Sequence, residues 1–284
     1  MPKKIAFKKV RFGTAGIPLS TENPSTERGI EKVRELNLDA MELEFVRGIN
    51  VTIEKAKIIK KIAEENDVVL TAHGPYYINL NASEEKKWYA SIERIINSAK
   101  ILHYAGGYSV VFHPAYYMKS TKEEAYKKVR DALNIVVETI KKERYDVWIR
   151  PETMGKPTQF GDLDELISLS KELEGYVLPV IDFAHLHARY NGFFKSYEDF
   201  AKIFERLENE LGKYALKNMH IHISGIEYNE KGEKRHLNLK ESDLLYKAFV
   251  EALINYDVRG VVISESPNIE GDALLLKKEY ESLL

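Results

Sequence analysis

The chain contains no cysteine. That excludes a disulfide frame, a thiolate metal site and a cysteine nucleophile, so any transition metal must be held by His, Asp and Glu. Nor is there an excess of one charge: 42 Lys and Arg stand against 44 Asp and Glu, a formal net charge of -2. No global pull toward nucleic acid follows, although a basic rim around a cleft would not register in that sum. No apolar run is long enough for a membrane span. The basic start MPKKIAFKKVRFG lacks the apolar core and small-residue cleavage site of a signal peptide, so a cytoplasmic location is expected. No glycine-rich phosphate fingerprint follows the first apolar run, which counts against an open dinucleotide-binding sheet.

What is present is alternation. Short runs rich in Val and Ile are expected to be strands: Val10–Ala15, Ala40–Phe45, Val68–His73, Tyr108–His113, Asp146–Glu152, Tyr176–Asp182, Asn218–Ile223 and Gly260–Glu265. Continuous apolar strands suit a sheet covered on both faces. Between them lie helix-patterned segments, several opening on the Ser, Thr, Asn or Asp that cap helices. Eight such units predict an α/β fold, a single (β/α)8 TIM barrel over residues 1–284, with its site at the C-terminal face of the strands. The longest irregular stretch, SGIEYNEKGEKRHLNLK, follows the seventh strand and reads as a functional loop.

The ends of the runs carry groups that resist burial. His73 closes the third run, His113 the fourth and Glu152 the fifth. Asp182 closes the sixth, with His185 and His187 just beyond; His220 and His222 lie on the seventh, and Glu265 closes the eighth. Uncompensated, each would cost on the order of several kcal/mol in a crowded rim. Together they form an oxygen and nitrogen ligand set suited to zinc, manganese or iron(II). Taken singly, each has a structural alternative. Asp182 can cap the turn after its strand, and Glu152 or Glu265 can pair with an arginine such as Arg150. His103, inside a helix, reads as structural. His220 shares the parity of His222 one layer deeper and reads as a hydrogen-bonded interior group. His187 stays open between a ligand, a support for a ligand and loop packing.

With these residues in place, the chain resembles the endonuclease IV family of apurinic/apyrimidinic endonucleases, among the xylose isomerase-like barrels, over nearly its whole length. The most specific segment is AHGPYYINLNAS, similar to that family's His-x-Pro-Tyr-x-Ile-Asn-Leu; FHP, IDFAH, HIS, RH and SESPN fall at its other motifs. The resemblance implies two or three metal ions, usually zinc. His73 and His113 would bind the first, Glu152 would bridge to the second, and Asp182, His222 and Glu265 would complete that second site. His185 and His236 would belong to the third. Tyr76 and Tyr77 would meet DNA as a wedge, and Arg47 as a second wedge or phosphate contact.

Three departures stand out. Lys234 occupies the position of the family's aspartate ligand to the third metal, leaving Glu233, one residue earlier, to substitute. Ser224-Gly225 replaces Asn-Asp, and PETMG replaces the common Glu-Asn-Thr segment. The implied activity is hydrolysis of the phosphodiester 5′ to an abasic site in double-stranded DNA, as in base excision repair, by a monomer. Products would be a 3′-hydroxyl and a 5′-deoxyribose phosphate, with Glu152 positioning the attacking water and accepting its proton. The alternative is a sugar isomerase or epimerase on the same barrel, for which Glu152, Asp182, His222 and Glu265 would hold one divalent metal. The additional histidines and the GPYYINL loop favour the nuclease.

Overall fold

The computed structural model describes residue 2 and residues 7–284, so the first part of the basic N-terminal segment lies outside the described residues. Eight parallel strands make the centre: β1 (Val10–Ala15), β2 (Ala40–Glu44), β3 (Val69–His73), β4 (Ser109–Phe112), β5 (Trp148–Pro151), β6 (Ile181–Asp182), β7 (Met219–Ile223) and β8 (Gly260–Ser264). They pair in the order β5-β4-β3-β2-β1-β8-β7-β6. Bridges between Ile149 and Val177 and between Glu152 and Val180 join the two outer members. The sheet therefore closes into the barrel that the alternation of elements predicts.

Helices cover the outside: α1 (Thr26–Glu35), α2 (Ile53–Glu65), α3 (Glu85–Tyr104), α4 (Lys122–Glu143), α5 (Leu163–Glu172), α6 (Phe183–Arg189), α7 (Tyr197–Leu211), α8 (Lys213–Leu216), α9 (Tyr246–Asn255) and α10 (Glu270–Ser282). Their starts follow from local chemistry. Thr52, Thr121 and Asp162 each accept a hydrogen bond from an amide of the first turn, and Glu124 and Glu165 complete reciprocal capping boxes. The longer helices lay an apolar face on the sheet; on α3 that face includes Ile92, Ile95, Ala99 and Leu102. No helix among the described residues is long and apolar enough to cross a membrane.

Three local expectations are corrected. The sixth strand, expected over Tyr176–Asp182, pairs with β7 only at Ile181–Asp182, Pro179 having no amide to offer that edge, while Tyr176, Leu178 and Val180 bond to β5. The segment after it is not a simple turn but α6, whose N-cap is Asp182. The long stretch after β7 is not irregular: Gly225–Asn229 and Gly232–Leu237 pair as an antiparallel hairpin.

Candidate metal centre

The strands deliver their last polar side chains to one mouth of the barrel, and Glu152 sits at its middle with no exposed surface. Glu152 Oε2 lies 3.6 Å from His73 Nε2 and 3.3 Å from His113 Nε2. The other oxygen, Oε1, lies 3.2 Å from His222 Nδ1 and 3.3 Å from His185 Nδ1. His222 Nδ1 also stands 3.2 Å from Glu265 Oε1. One carboxylate thus joins groups from β3, β4, β7 and α6. Ligand atoms within 4.8 Å of one another form the sets His73–His113–Glu152, Glu152–Asp182–His222–Glu265 and His185–Glu233–His236.

The third set explains the altered loop motif. Strand alternation would put Glu233 and His236 on opposite faces of the hairpin. The register shifts there, pairing Glu227 with Arg235 and Tyr228 with Glu233, so that Lys234 is the extra residue of a bulge. Glu233 and His236 consequently converge on His185, with His185 Nε2 3.6 Å from Glu233 Oε2. Lys234 and Arg235 turn the other way and grip Glu227 at 3.1 and 2.7 Å. The hairpin is pinned at Gly232, where a Cβ would lie 2.3 Å from the Gly155 carbonyl oxygen. Gly225 is required for a similar reason, since a Cβ there would meet the Asn238 carbonyl oxygen at 2.3 Å.

The donors fit a cation. His73 Nδ1 donates to the Gly74 carbonyl at 2.8 Å and His185 Nδ1 to the Thr153 carbonyl at 2.9 Å. A carbonyl only accepts, so each contact fixes the proton on Nδ1 and leaves Nε2 with a lone pair facing the cluster. His236 Nδ1 is held at 3.2 Å by the Glu265 carbonyl and at 3.1 Å by Ser224 Oγ. Asp182 Oδ1 caps α6 by accepting from the His185 amide at 2.7 Å, so the structural and the ligand readings of this residue coexist on its two oxygens. Its Oδ2, like Glu152 Oε2, is buried without a hydrogen-bond partner. Orphaned carboxylate oxygens in a dry site are costly unless a cation meets them.

Charge balance points the same way. Burial would depress the His73 imidazole, but Glu152, Glu44 and Glu42 carry its pKa up to about 10. Burial together with Glu152 and Asp182 pushes Glu265 up to about 8, against the pull of His222 and His73. Glu152 moves down despite its burial, held by His222 and His113. In the absence of metal, protons supply the positive charge that this ring of acids demands.

Two acids of β2 were missed in the sequence. Glu42 is wholly buried, accepts from Thr71 Oγ1 at 2.7 Å, and stands 3.2 Å from His220 Nε2 and 3.0 Å from His222 Nε2. These two ion contacts lie off the hydrogen-bond axis, and with His220 and His222 the carboxylate forms a fourth, deeper set. His220 Nδ1 meets Ser109 Oγ at 2.8 Å, in keeping with its reading as an interior group. Glu44 lies two residues nearer the mouth, reached by solvent yet walled in, and desolvation with neighbouring Glu42 raises it to about 7. The available signal was position: an acid in mid-strand between Met41 and Leu43, where both faces are covered.

Other candidates resolve by geometry. His187 is turned away from the centre: its Nε2 pairs with Asp243 at 3.0 Å and its Nδ1 accepts the Phe194 amide at 3.0 Å, so neither nitrogen is offered to a metal. That corrects its reading as a possible ligand in favour of packing. His103 accepts from the Asp146 amide at 3.0 Å and belongs to none of the metal sets. Arg150 does not pair with Glu152 or Glu265; it donates to Tyr108 Oη and to the carbonyls of Pro179 and Asn218. Tyr76 overhangs the centre, its ring 5.6 Å from that of His73 and 5.9 Å from that of His113. Tyr77 is exposed and faces the other way, under the Arg94 guanidinium. Arg47 is exposed after β2, outside the metal sets.

Comparison with known proteins agrees with this architecture. The family described as xylose isomerase-like TIM barrel matches residues 30–283. An uncharacterized protein of Methanocaldococcus jannaschii is 47% identical over 272 residues, covering 96% of this chain and 97% of its own length. A probable endonuclease 4 of Mycoplasma genitalium is 25% identical over 204 residues, 70% of this chain and 67% of that protein. Among solved structures, a 3-keto-D-glucoside 4-epimerase from E. coli aligns with a TM-score of 0.71 at 16% identity, covering 96% of this chain and 100% of that one. Endonuclease IV from Thermus thermophilus aligns with a TM-score of 0.68 at 15% identity, covering 95% and 100%. At such identities the two structures speak to the fold alone.

Proposed function

Because this chain belongs to the xylose isomerase-like TIM-barrel family, we propose that it is a metal-dependent apurinic/apyrimidinic endonuclease. It would hydrolyse the phosphodiester 5′ to an abasic site in double-stranded DNA and leave a 3′-hydroxyl and a 5′-deoxyribose phosphate. The observation that carries this reading is that three ligand sets share one mouth. An enzyme using a single metal would need only Glu152, Asp182, His222 and Glu265; His73 with His113, and His185 with Glu233 and His236, would then have no task. The name of the Mycoplasma genitalium relative supports the same reading.

The residues that would hold zinc are the three sets already described, whose imidazole-rich donors suit it. Zinc bound there supplies Lewis acidity, which neutralises charge on a phosphodiester and activates water near neutral pH. The chain's own part is orientation and proton transfer. Glu152 ties the sets together, its two oxygens facing His113 and His222, and its carboxylate would position the attacking water and take up its proton. His73 and His185 hold their lone pairs in place through backbone carbonyls, which removes the cost of ordering them on binding. Tyr76 above the mouth occupies the space left by a missing base, where an abasic nucleotide is cheap to rotate out of the stack. The barrel would act as one unit and as a monomer.

The test is incubation with a duplex carrying one tetrahydrofuran abasic analogue, with and without chelator. Chelator-sensitive incision on the 5′ side is expected, and no incision by metal-replete protein would end the proposal. A second reading, a sugar isomerase or epimerase, is favoured by the four-ligand set taken alone and by the name of the E. coli structure. Metal content separates the two: one equivalent supports the isomerase, two or three the nuclease.

A further inference from the structure

A cavity of about 590 Å³ lies beside the centre, between the start of α2, the loop after β3 and the middle of α3. Its wall carries Arg47, Arg94 and Lys100, and no acidic residue lines it. None of these three cations has a carboxylate partner among the described residues, whereas Lys32, Lys122 and Lys234 each do. Three unpaired cations held around one concavity repel one another, an arrangement that becomes favourable when an anion enters. The positive end of α2 adds to the field, since its cap Thr52 and first residue Ile53 form part of the wall.

The rest of the lining is not what a simple anion needs. Ile49, Val51 and the exposed Tyr77 give it an apolar and aromatic side. The Tyr77 ring lies 6.0 Å from the Arg94 guanidinium, so a planar group entering there would meet an aromatic face backed by a cation. Tyr77 is also joined directly to Tyr76, which overhangs His73 and His113. The cavity and the metal mouth therefore share one loop, and a strand held in one is within reach of the other.

We propose that this cavity binds a nucleotide unit of the DNA next to the reacting site, its phosphate on Arg47, Arg94 and Lys100 and its base or sugar against Tyr77 and Ile49. This rests on the nuclease reading given above and extends it to two residues of α3, Arg94 and Lys100. The role is anchoring: the pocket would set affinity and register while the chemistry stays at Glu152. An Arg94→Ala/Lys100→Ala double variant should then weaken binding without slowing incision by bound enzyme.

Two measurements on the full chain test this. Thymidine 3′,5′-bisphosphate is titrated calorimetrically into wild type and the double variant, with inorganic phosphate as a competitor. Separately, affinity for an abasic-analogue duplex is followed by fluorescence anisotropy across salt concentrations in a Glu152→Gln background. The double variant should lose about tenfold or more in both affinities, and its slope of log K against log salt should fall by roughly two. Inorganic phosphate should compete only weakly. The proposal is overturned if wild type does not bind the bisphosphate, or if the variant binds both probes as wild type does. Competition by inorganic phosphate as strong as by the nucleotide would also overturn it, by reducing the pocket to an anion hole. Incision by wild type is scored on its own. Bisphosphate binding that depends on Arg94 and Lys100 upholds the pocket even where incision fails, and incision without such binding removes the pocket while the nuclease stands.

Discussion

Glu42 and His222 face each other inside the barrel with neither side chain exposed, Glu42 Oε1 3.0 Å from His222 Nε2. The opposite nitrogen of the same ring, Nδ1, lies among Glu152 and Glu265. When a cation takes Nδ1, the buried negative charge beside Nε2 keeps the ring's remaining proton there, which is how carboxylates behind metal-bound histidines act. Glu42→Gln removes the charge and keeps the shape. It should lower zinc affinity by roughly ten- to a hundredfold, read by competition with a chromophoric chelator, while the circular dichroism spectrum stays that of wild type. Unchanged affinity would reduce Glu42 to filling space.

Glu152→Gln tests the centre itself. The amide keeps the volume at a site with no exposed surface but cannot take up a proton or carry the charge shared between the two sets that contain Glu152. Incision under single-turnover conditions should fall by at least about a hundredfold, the lower end of what a positioned base contributes. Binding of the abasic duplex should persist. Retained incision would take Glu152 out of the chemistry.

The bulge at Lys234 gives a prediction that does not depend on activity. Glu233 reaches His185 and His236 only because the register slips by one residue. Glu233→Ala should therefore cost about one equivalent of bound metal, read by elemental analysis after gel filtration, with the remaining equivalents retained. Lys234→Ala should leave the metal count unchanged, because Lys234 faces Glu227. Equal metal content in Glu233→Ala and wild type would show that the third set holds no ion.

Tyr76 and Tyr77 are neighbours in sequence but serve different places, so their variants should differ. Tyr76→Ala should weaken binding of the abasic duplex more than that of intact duplex, by about 1–3 kcal/mol, the usual worth of a ring stacked against bases. Competition anisotropy on the two duplexes reads the difference. Equal losses on both would rule out a role at the missing base.

The limits of the sequence reading have physical causes. Strands such as Ser109–Phe112 and Gly260–Ser264 were legible because a strand covered on both faces must be apolar throughout, and the histidines and acids at their ends stood out against that background. Pro179 hid the true extent of β6, since an apolar run does not reveal whether its amides can join a ladder. The hairpin after β7 was invisible because its strands, GIEYN and GEKRHL, are mostly polar and read as loop. The nearness of Glu233 to His185 and His236 was not legible as a geometry, because a bulge is a property of paired strands. Glu42 was missed for a different reason: Thr71 pairs with it on the neighbouring β3, but His220 and His222 lie on β7, and only closure of the barrel brings them to it.

Metal removal should also be felt by the fold as a whole. Glu42, Glu152, Asp182 and Glu265 crowd the mouth with little or no exposure, and Asp182 Oδ2 and Glu152 Oε2 have no hydrogen-bond partner. A cation that binds these groups in the folded chain, and not when they are scattered in the unfolded one, stabilises by an amount set by its concentration relative to its Kd. At a hundredfold excess over Kd that is about 2.7 kcal/mol for one site. For a chain of this size each kcal/mol is worth roughly 2–4 °C in Tm. Dialysis against chelator should thus lower Tm by about 5–10 °C for each site emptied, and added zinc should restore it. The same treatment of Glu42→Gln should give a smaller shift at equal zinc, since that variant starts with weaker sites. A Tm indifferent to chelator in protein shown by elemental analysis to carry metal would mean that the acids of the mouth are balanced by something other than the bound ion.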